Sequence, residues 1–435
     1  METKTISTIK VRTNLLRSGV KPSEVFAWAC LDFANSGYTT VVLTAVFNAY
    51  FVSTIMEGST NATLIWTSIL SVSYLLVMIT APLLGAYADS HGTHKIILFW
   101  ATISCSLTTI CLGFSTPGSV FLAGVLLVVS NLSYSVHQDI TASYLVNFCE
   151  SSQLGKMSGF GWAWGFVGGI TTLILCLLWV FNAAFLLGTP TVNIQTKVSG
   201  AMVITGSIFA FISFFALLNL GDFKYLNTNS NWKTAWTRTI KALGSRKKSK
   251  DLFDFLFCVF IYQSGIAIVI TVAAIYAKEV MNFSVEQTIS MILVVNFSAC
   301  IGAFIFGFLQ DKIGHKKSIF ISLIFWLITV AMIFFAESSQ FFWIAANFAG
   351  LAMGASQSGA RAAVAYMSPV DKQAENFGLW GVSINAASIL GPFLYGLATF
   401  FTNNNHRISI LLVGVFFLTS IFLLIRCKFR PPAQG

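Results

Sequence analysis

The sequence predicts an all-α membrane protein: twelve transmembrane helices in two six-helix bundles. Three observations carry this. Of the 435 residues, 56% are hydrophobic and only 10% charged, against roughly 25% charged in an ordinary soluble domain. Mean hydropathy is +0.76. So much apolar surface needs lipid as its solvent, and backbone in lipid must find its hydrogen bonds inside helices or closed barrels. The second observation is that the apolar runs do not alternate and reach about 20 residues, the length of a membrane-crossing helix. The third is a loop cassette that occurs twice. Gly85-Ala-Tyr-Ala-Asp89-Ser-His-Gly92-Thr-His94-Lys95 links the second and third runs, and Gly307-Phe-Leu-Gln-Asp311-Lys312-Ile-Gly314-His-Lys316-Lys317 links the eighth and ninth. The two aspartates are 222 residues apart, about half the chain. Like halves joined in one membrane chain imply a substrate site between them.

The spans are read as 26–52, 62–87, 95–114, 119–147, 157–184, 198–220, 253–277, 287–308, 318–336, 341–367, 376–401 and 407–426. The first is too long for a cleavable signal peptide and lacks a small-residue cleavage site after a short core. Residues 1–220 form the first bundle, 221–252 a polar linker, and 253–435 the second bundle. The linker predicts a short surface helix carrying Trp232, Trp236 and Leu243 among basic residues.

Charge sets the orientation. One side of the predicted topology holds 22 of the 26 Lys and Arg residues; Lys197, Lys278 and Arg407 lie opposite. Both termini are therefore expected in the cytoplasm. The net charge of +10 is spread over these loops, which argues against nucleic-acid binding. The eight cysteines sit in or beside apolar runs without a CxxC pair, and read as small buried hydrophobes and not as disulfides or metal ligands. His91, His94 and His315 lie in the two cassettes, too far apart in the architecture for one metal site, and read as loop residues. Asn61-Ala62-Thr63 is a glycosylation sequon, meaningful only in a eukaryotic secretory context.

The cassettes resemble the major facilitator signature, Gly-xxx-Asp-(basic)-x-Gly-(basic)-(basic). That resemblance implies a gating role for Gly85, Asp89, Gly92, Gly307, Asp311, Gly314 and Lys316. The second copy fits well. The first has Ser90 and Thr93 where basic residues are expected. Asp311 is therefore expected to latch through Lys312, Lys316, Lys317 or a neighbouring helix N-terminus, with Asp89 the weaker latch. Three further segments resemble the vacuolar-effluxer-like branch, known as amino-acid effluxers in fungi. They are Trp28-Ala-Cys-Leu-Asp32-Phe-Ala-Asn35-Ser36-Gly-Tyr38, Ser158-Gly-Phe-Gly161-Trp162-Ala-Trp-Gly165-Phe-Val-Gly168-Gly169, and Gln357-Ser-Gly-Ala-Arg361-Ala. The fourth span departs from the branch, reading Tyr134-Ser-Val-His137-Gln138-Asp139-Ile-Thr141.

Polar groups inside spans need a reason, because an ionised side chain at mid-bilayer costs roughly 2.5–3.5 kcal/mol on insertion scales. Asp32 lies about six residues into the first span, roughly 9 Å at 1.5 Å per residue, with Asn35, Ser36 and Thr39 on its face. It reads as part of a substrate or proton pathway, or as a helix-packing hydrogen-bond cluster. Arg361 is the sole basic residue deep inside a span, and Gln357 shares its face. Its fork suits a substrate carboxylate or phosphate, or a structural ion pair with Asp32 or Asp139. Asp32, Gln357 and Arg361 are expected to face one water-filled cavity, with Asn35, Tyr38 and Trp380 completing the binding set. His137 and Asp139 read as proton carriers beside Asp32, or as groups solvated near a cytoplasmic end. Gly161, Gly165 and Gly169 read as a packing row at a site of rocking.

The expected protein is a monomeric secondary transporter of a small polar metabolite, an amino acid or related carboxylate, working by alternating access. The alternative is a carrier for a siderophore, a drug-like molecule or another small organic molecule. The chain has no Gly-xxxx-Gly-Lys-Ser/Thr loop, so an ion or substrate gradient must drive it, with proton coupling one such route. No cofactor, no nucleic-acid partner and no enzymatic constellation is expected. Membrane lipid is the other partner. The expected location is the cell membrane in a bacterium or the vacuolar membrane in a fungus.

Overall fold

The computed structural model describes residues 16–57, 59, 61–223, 250–403 and 405–431. The expected linker helix at Trp232, Trp236 and Leu243 lies outside the described residues.

Among the described residues twelve long helices follow one another. They are α1 (Pro22–Ile55), α2 (Ala62–His91), α3 (His94–Leu112), α4 (Val120–Ser143), α5 (Leu154–Leu187), α6 (Ile194–Asn219), α7 (Lys250–Glu279), α8 (Val285–Ile313), α9 (His315–Phe334), α10 (Ser339–Met367), α11 (Gln373–Phe401) and α12 (Leu411–Arg426). Eleven are long and apolar enough to cross a membrane by length and composition; α10 is not. Its sequence is rich in Ala, Gly and Ser and carries Gln357 and Arg361, and its last half is almost wholly buried in protein. A helix shielded from lipid by its neighbours does not need an apolar surface. Elsewhere large apolar side chains stand bare on the outer faces, such as Phe121 at 86% and Leu218 at 87% exposure, where only lipid suits them.

Local chemistry explains the helix ends. Pro22 opens α1, where its missing N–H is no loss. Ser284 and Gln287 form a reciprocal capping box at α8. Asn193 caps α6 and Ser338 caps α10. The cassette glycines Gly92 and Gly314 have φ of 66° and 92°, a region open to glycine at no steric cost, and this is how α2 and α8 stop and reverse in so few residues. α1 is irregular. After Tyr38 it continues as a π-helix over Thr39–Ala45 and again over Phe51–Ile55. The β-branched run Thr39-Thr-Val-Val42 is a poor α-former, and the Thr44 hydroxyl donates to the Thr39 carbonyl at 3.1 Å.

The two halves meet through α2 against α11, α5 against α8, α5 against α10, and α4 against α11. Glycines make the first two contacts close. A Cβ on Gly378 would lie 2.6 Å from Pro82 Cα, and one on Gly85 would strike the Ala374 carbonyl. A Cβ on Gly159 would lie 2.5 Å from the Ala303 oxygen, and one on Gly307 2.8 Å from the Gly155 oxygen. The seam between halves is therefore Gly85 and Gly378 on one side and Gly155, Gly159 and Gly307 on the other. This corrects two members of the row expected at the rocking site, while Gly161 does lie against Arg361 of the second half. Gly165 and Gly169 face Asp32, Ser36 and Thr40 of α1, inside the first half.

Both seams lie at the end of the molecule that carries the cassettes, here called the motif end. Overpacking costs roughly 1–3 kcal/mol. Gly378→Val is therefore expected to lengthen the distance between spin labels at the exposed residues Ser151 and Lys317, which lie on opposite halves. Gly396→Ala, with nothing within 4 Å of the added carbon, should leave that distance unchanged.

Candidate functional site

Arg361 sits at the junction of the halves, 2% exposed. Its Nη1 donates to Asp32 Oδ2 at 2.6 Å, its Nε to Ser158 Oγ at 3.1 Å, and its Nη2 to the Ser158 carbonyl at 2.8 Å. Ser158 in turn donates to the Ser358 carbonyl at 2.7 Å. The guanidinium lies 4.9 Å from the centroid of the Trp28 ring and 5.5 Å from that of Trp162, within cation–π range of both. Trp28 is fixed by donating its indole N–H to the Thr141 carbonyl at 2.8 Å. Gly161 closes the cluster: a Cβ there would lie 2.5 Å from Asp32 Oδ2 and 2.6 Å from Arg361 Nη2. One helix of the second half is thus plugged into two helices of the first.

Two readings of these residues change. The pair forms with Asp32, not Asp139. The three residues expected around one cavity are divided: Asp32 and Arg361 are sealed by side chains, while Gln357, one turn away, pairs with Gln263. Gln263 Nε2 donates to Gln357 Oε1 at 2.9 Å, and the reverse bond is 3.4 Å. α1 begins at Pro22, one turn earlier than the apolar run, so Asp32 lies ten residues, roughly 15 Å, from the start of the helix.

The cassette aspartates do one job twice. Asp311 accepts from the Gly155 N–H at 2.7 Å and the Lys156 N–H at 3.0 Å, at the start of α5. Asp89 accepts from the Ala374 N–H at 3.1 Å and the Glu375 N–H at 2.8 Å, at the start of α11. Each carboxylate caps a helix of the opposite half, where free N–H groups and the helix dipole both favour an anion. Of the alternatives expected for Asp311, the helix N-terminus is the partner. Lys316 instead donates to the carbonyls of Ile425 and Cys427 at 2.7 and 2.9 Å, at the C-terminal end of α12. The expected weakness of the first copy loses its basis, since backbone amides hold the carboxylate whatever stands at positions 90 and 93.

Along α1 and α4 the remaining candidates pair off. Asn35 Oδ1 accepts from His137 Nδ1 at 2.9 Å. The Tyr38 hydroxyl meets Ser130 Oγ at 2.8 Å, and its ring stacks on Tyr134 with centroids 5.0 Å apart. Tyr134 donates to Gln138. Asp139 lies against Gly381 of α11, where a Cβ would lie 2.9 Å from its Cγ, and its Oδ2 has no hydrogen-bond partner among the described residues. His137 and Asp139 are both buried, so the solvated-end alternative does not hold. Trp380 is wholly buried with its ring edge-on to Phe377 at 5.7 Å.

The family model described as "Vacuole effluxer Atg22 like" matches residues 149–430. The chain belongs to this family. The match takes in Ser158, Gly161, Asp311 and Arg361, while Asp32 and Asp89 precede it. The uncharacterized MFS-type transporter YxiO of Bacillus subtilis (strain 168) is 23% identical, over 91% of this chain and 93% of its own. Among solved structures, the human organic anion transporter MFSD10 (TETRAN) superposes with a TM-score of 0.69 at 12% identity, covering 93% of this chain and 100% of its own. The proton:xylose symporter XylE does so with 0.69 at 13%, covering 94% and 98%. The fold is therefore that of the major facilitator superfamily, and this effluxer-family chain is a multi-pass membrane transporter of small molecules.

Several residues of the effluxer-family site escape a reading of the sequence. Ser158 looks like a small residue leading a glycine row, yet it holds two of the three Arg361 donors. Trp28 stands out in the sequence only as the start of a motif, yet it is buried against the cation. Gln263 is a lone amide in an apolar run. Its polarity is the one signal that marks it, and α7 contributes no charge at that depth.

Proposed function

We propose that this transporter carries an amino acid or a related small carboxylate by alternating access, with Arg361 passing between Asp32 and the substrate. One observation carries the reading: the guanidinium spends a single donor on Asp32, through one carboxylate oxygen, and its other two bonds go to a serine. The resting pair is monodentate. A substrate carboxylate can offer the two-pronged contact that Asp32 does not make, which is the stronger arrangement. The pair bridges the halves, so it must break when the motif end opens.

In this reading Gly85, Asp89, Gly92, Gly307, Asp311, Gly314 and Lys316 serve the gate, and Asn35, Tyr38, Gln357 and Trp380 serve the substrate. Gln263 joins them as the partner of Gln357. Asp32, His137 and Asp139 are the proton-carrying candidates, with both termini and the 221–252 linker in the cytoplasm. The test is counterflow in proteoliposomes loaded with labelled amino acids, other carboxylates or a ferric siderophore. Saturable exchange of a carboxylate, slowed in Arg361→Lys, is expected. Exchange of the siderophore alone, or a lysine variant as fast as wild type on a carboxylate, would overturn the reading.

A further inference from the structure

We infer that His94 and Phe223 are positioning residues for the Asp89 latch, and that they tie this one latch to the segment joining the two halves. The inference rests on the gate reading above. His94 is wholly buried, and its Nε2 lies 3.3 Å from Asp89 Oδ1, the oxygen that also accepts from the Ala374 N–H. A carboxylate only accepts, so Nε2 carries the hydrogen in this contact. The other ring nitrogen has no hydrogen-bond partner among the described residues. Packing, then, is what fixes the ring plane. Phe223 stacks flat on it with centroids 4.0 Å apart and planes at 10°, and Tyr144 stands edge-on to both rings, at 5.8 Å from His94 and 5.4 Å from Phe223.

Phe223 belongs to neither α3 nor α4. It lies in the stretch that leaves α6 and leads toward the second half. That stretch is pinned at three points: Leu220 is buried, Asp222 pairs with Lys95 at 3.0 Å, and Phe223 lies on His94. A displacement of this stretch removes the face that holds the imidazole flat. The imidazole then turns, and Asp89 loses the donor that aims one oxygen at the start of α11.

The second latch is not built this way. Lys316, five residues after Asp311 as His94 is after Asp89, turns to the end of α12. His315 meets Gln310 at 2.6 Å and lies 4.8 Å from the Tyr366 ring. Of two latches with matching backbone contacts, only the first is braced by an aromatic of the inter-half connection among the described residues.

The experiment is the Ser151–Lys317 spin-label distance in reconstituted protein, read as the ratio of motif-end-closed to motif-end-open molecules. Asp89→Asn is expected to lower that ratio. Phe223→Leu, which keeps apolar bulk and loses the flat face, should lower it by about fivefold, the scale of a lost aromatic contact. His94→Ala should act in the same direction, and Phe223→Tyr should restore the wild-type ratio. In an Asp89→Asn background neither variant should add anything, whereas in an Asp311→Asn background both should act in full. An unchanged ratio in Phe223→Leu, or full additivity with Asp89→Asn, overturns the inference while leaving the gate reading intact. No effect of Asp89→Asn itself overturns the gate reading and this inference with it.

Discussion

Arg361→Ala is expected to abolish transport and to destabilise the protein, because it leaves Asp32 buried without its cation. Breaking a buried pair by removing one partner costs roughly 3–5 kcal/mol. Arg361→Lys is the more telling variant. It keeps the charge, but an ammonium cannot reach Asp32 Oδ2, Ser158 Oγ and the Ser158 carbonyl from the positions the guanidinium uses. A hydrogen bond to a charged group contributes about 1.5–3 kcal/mol, so exchange should slow by roughly ten- to a hundredfold while the protein still inserts and folds. The double variant Asp32→Asn with Arg361→Gln removes both charges together. It should recover thermal stability relative to Arg361→Ala and should not recover exchange of a carboxylate. Thermal unfolding and vesicle exchange measured on the same preparations separate the two effects. Recovery of exchange in the double variant would show that the pair only holds the halves together.

Neutralising both latches should produce the second large effect. Asp89 and Asp311 each hold two backbone N–H groups of a helix in the opposite half. Asparagine keeps one accepting oxygen, so each single change should cost the closed form about 1–2 kcal/mol, most of one charged hydrogen bond. Asp89→Asn and Asp311→Asn should therefore be similar in size, with the double change near the sum of the two, since the latches share no partner. Accessibility of the motif end to an impermeant thiol reagent checks this. An Asp311 effect more than about tenfold larger than that of Asp89, a gap above 1.4 kcal/mol, would show that the basic residues of the second cassette matter after all.

What the sequence makes legible follows from how local each signal is. Helices crossing lipid must be apolar along their own length, so the runs reveal themselves. Even α10 is readable as a run over 341–367, although its small residues, Gln357 and Arg361 weaken the apolar signal. Asp32 and Arg361 are legible as lone charges in apolar runs. Their partnership across 329 positions is legible only as one of two alternatives, Asp32 or Asp139, and the part played by Ser158 is not legible, because contact between halves leaves no periodicity behind. The latches mislead for a different reason. The cassette advertises its lysines, yet the groups that receive the aspartates are backbone N–H groups, which every residue but proline carries. The start of α1 is read a turn late because Pro22 begins the helix in polar sequence, ahead of the first apolar run.

The glycine seam has a kinetic consequence. Where Gly85 meets Ala374 and Gly159 meets Ala303, there are no rotamers to freeze on closing or to release on opening. Surfaces of this kind separate and rejoin without side-chain rearrangement, so the seam itself adds little friction to the cycle. In the proposed cycle the barrier to switching is then concentrated in a few polar clasps: the Arg361 cluster with Asp32, Ser158 and Ser358, and two helix caps. A transporter built on that plan has its turnover set by a handful of hydrogen bonds, and single substitutions at those bonds can retune its speed while the fold stays as it is.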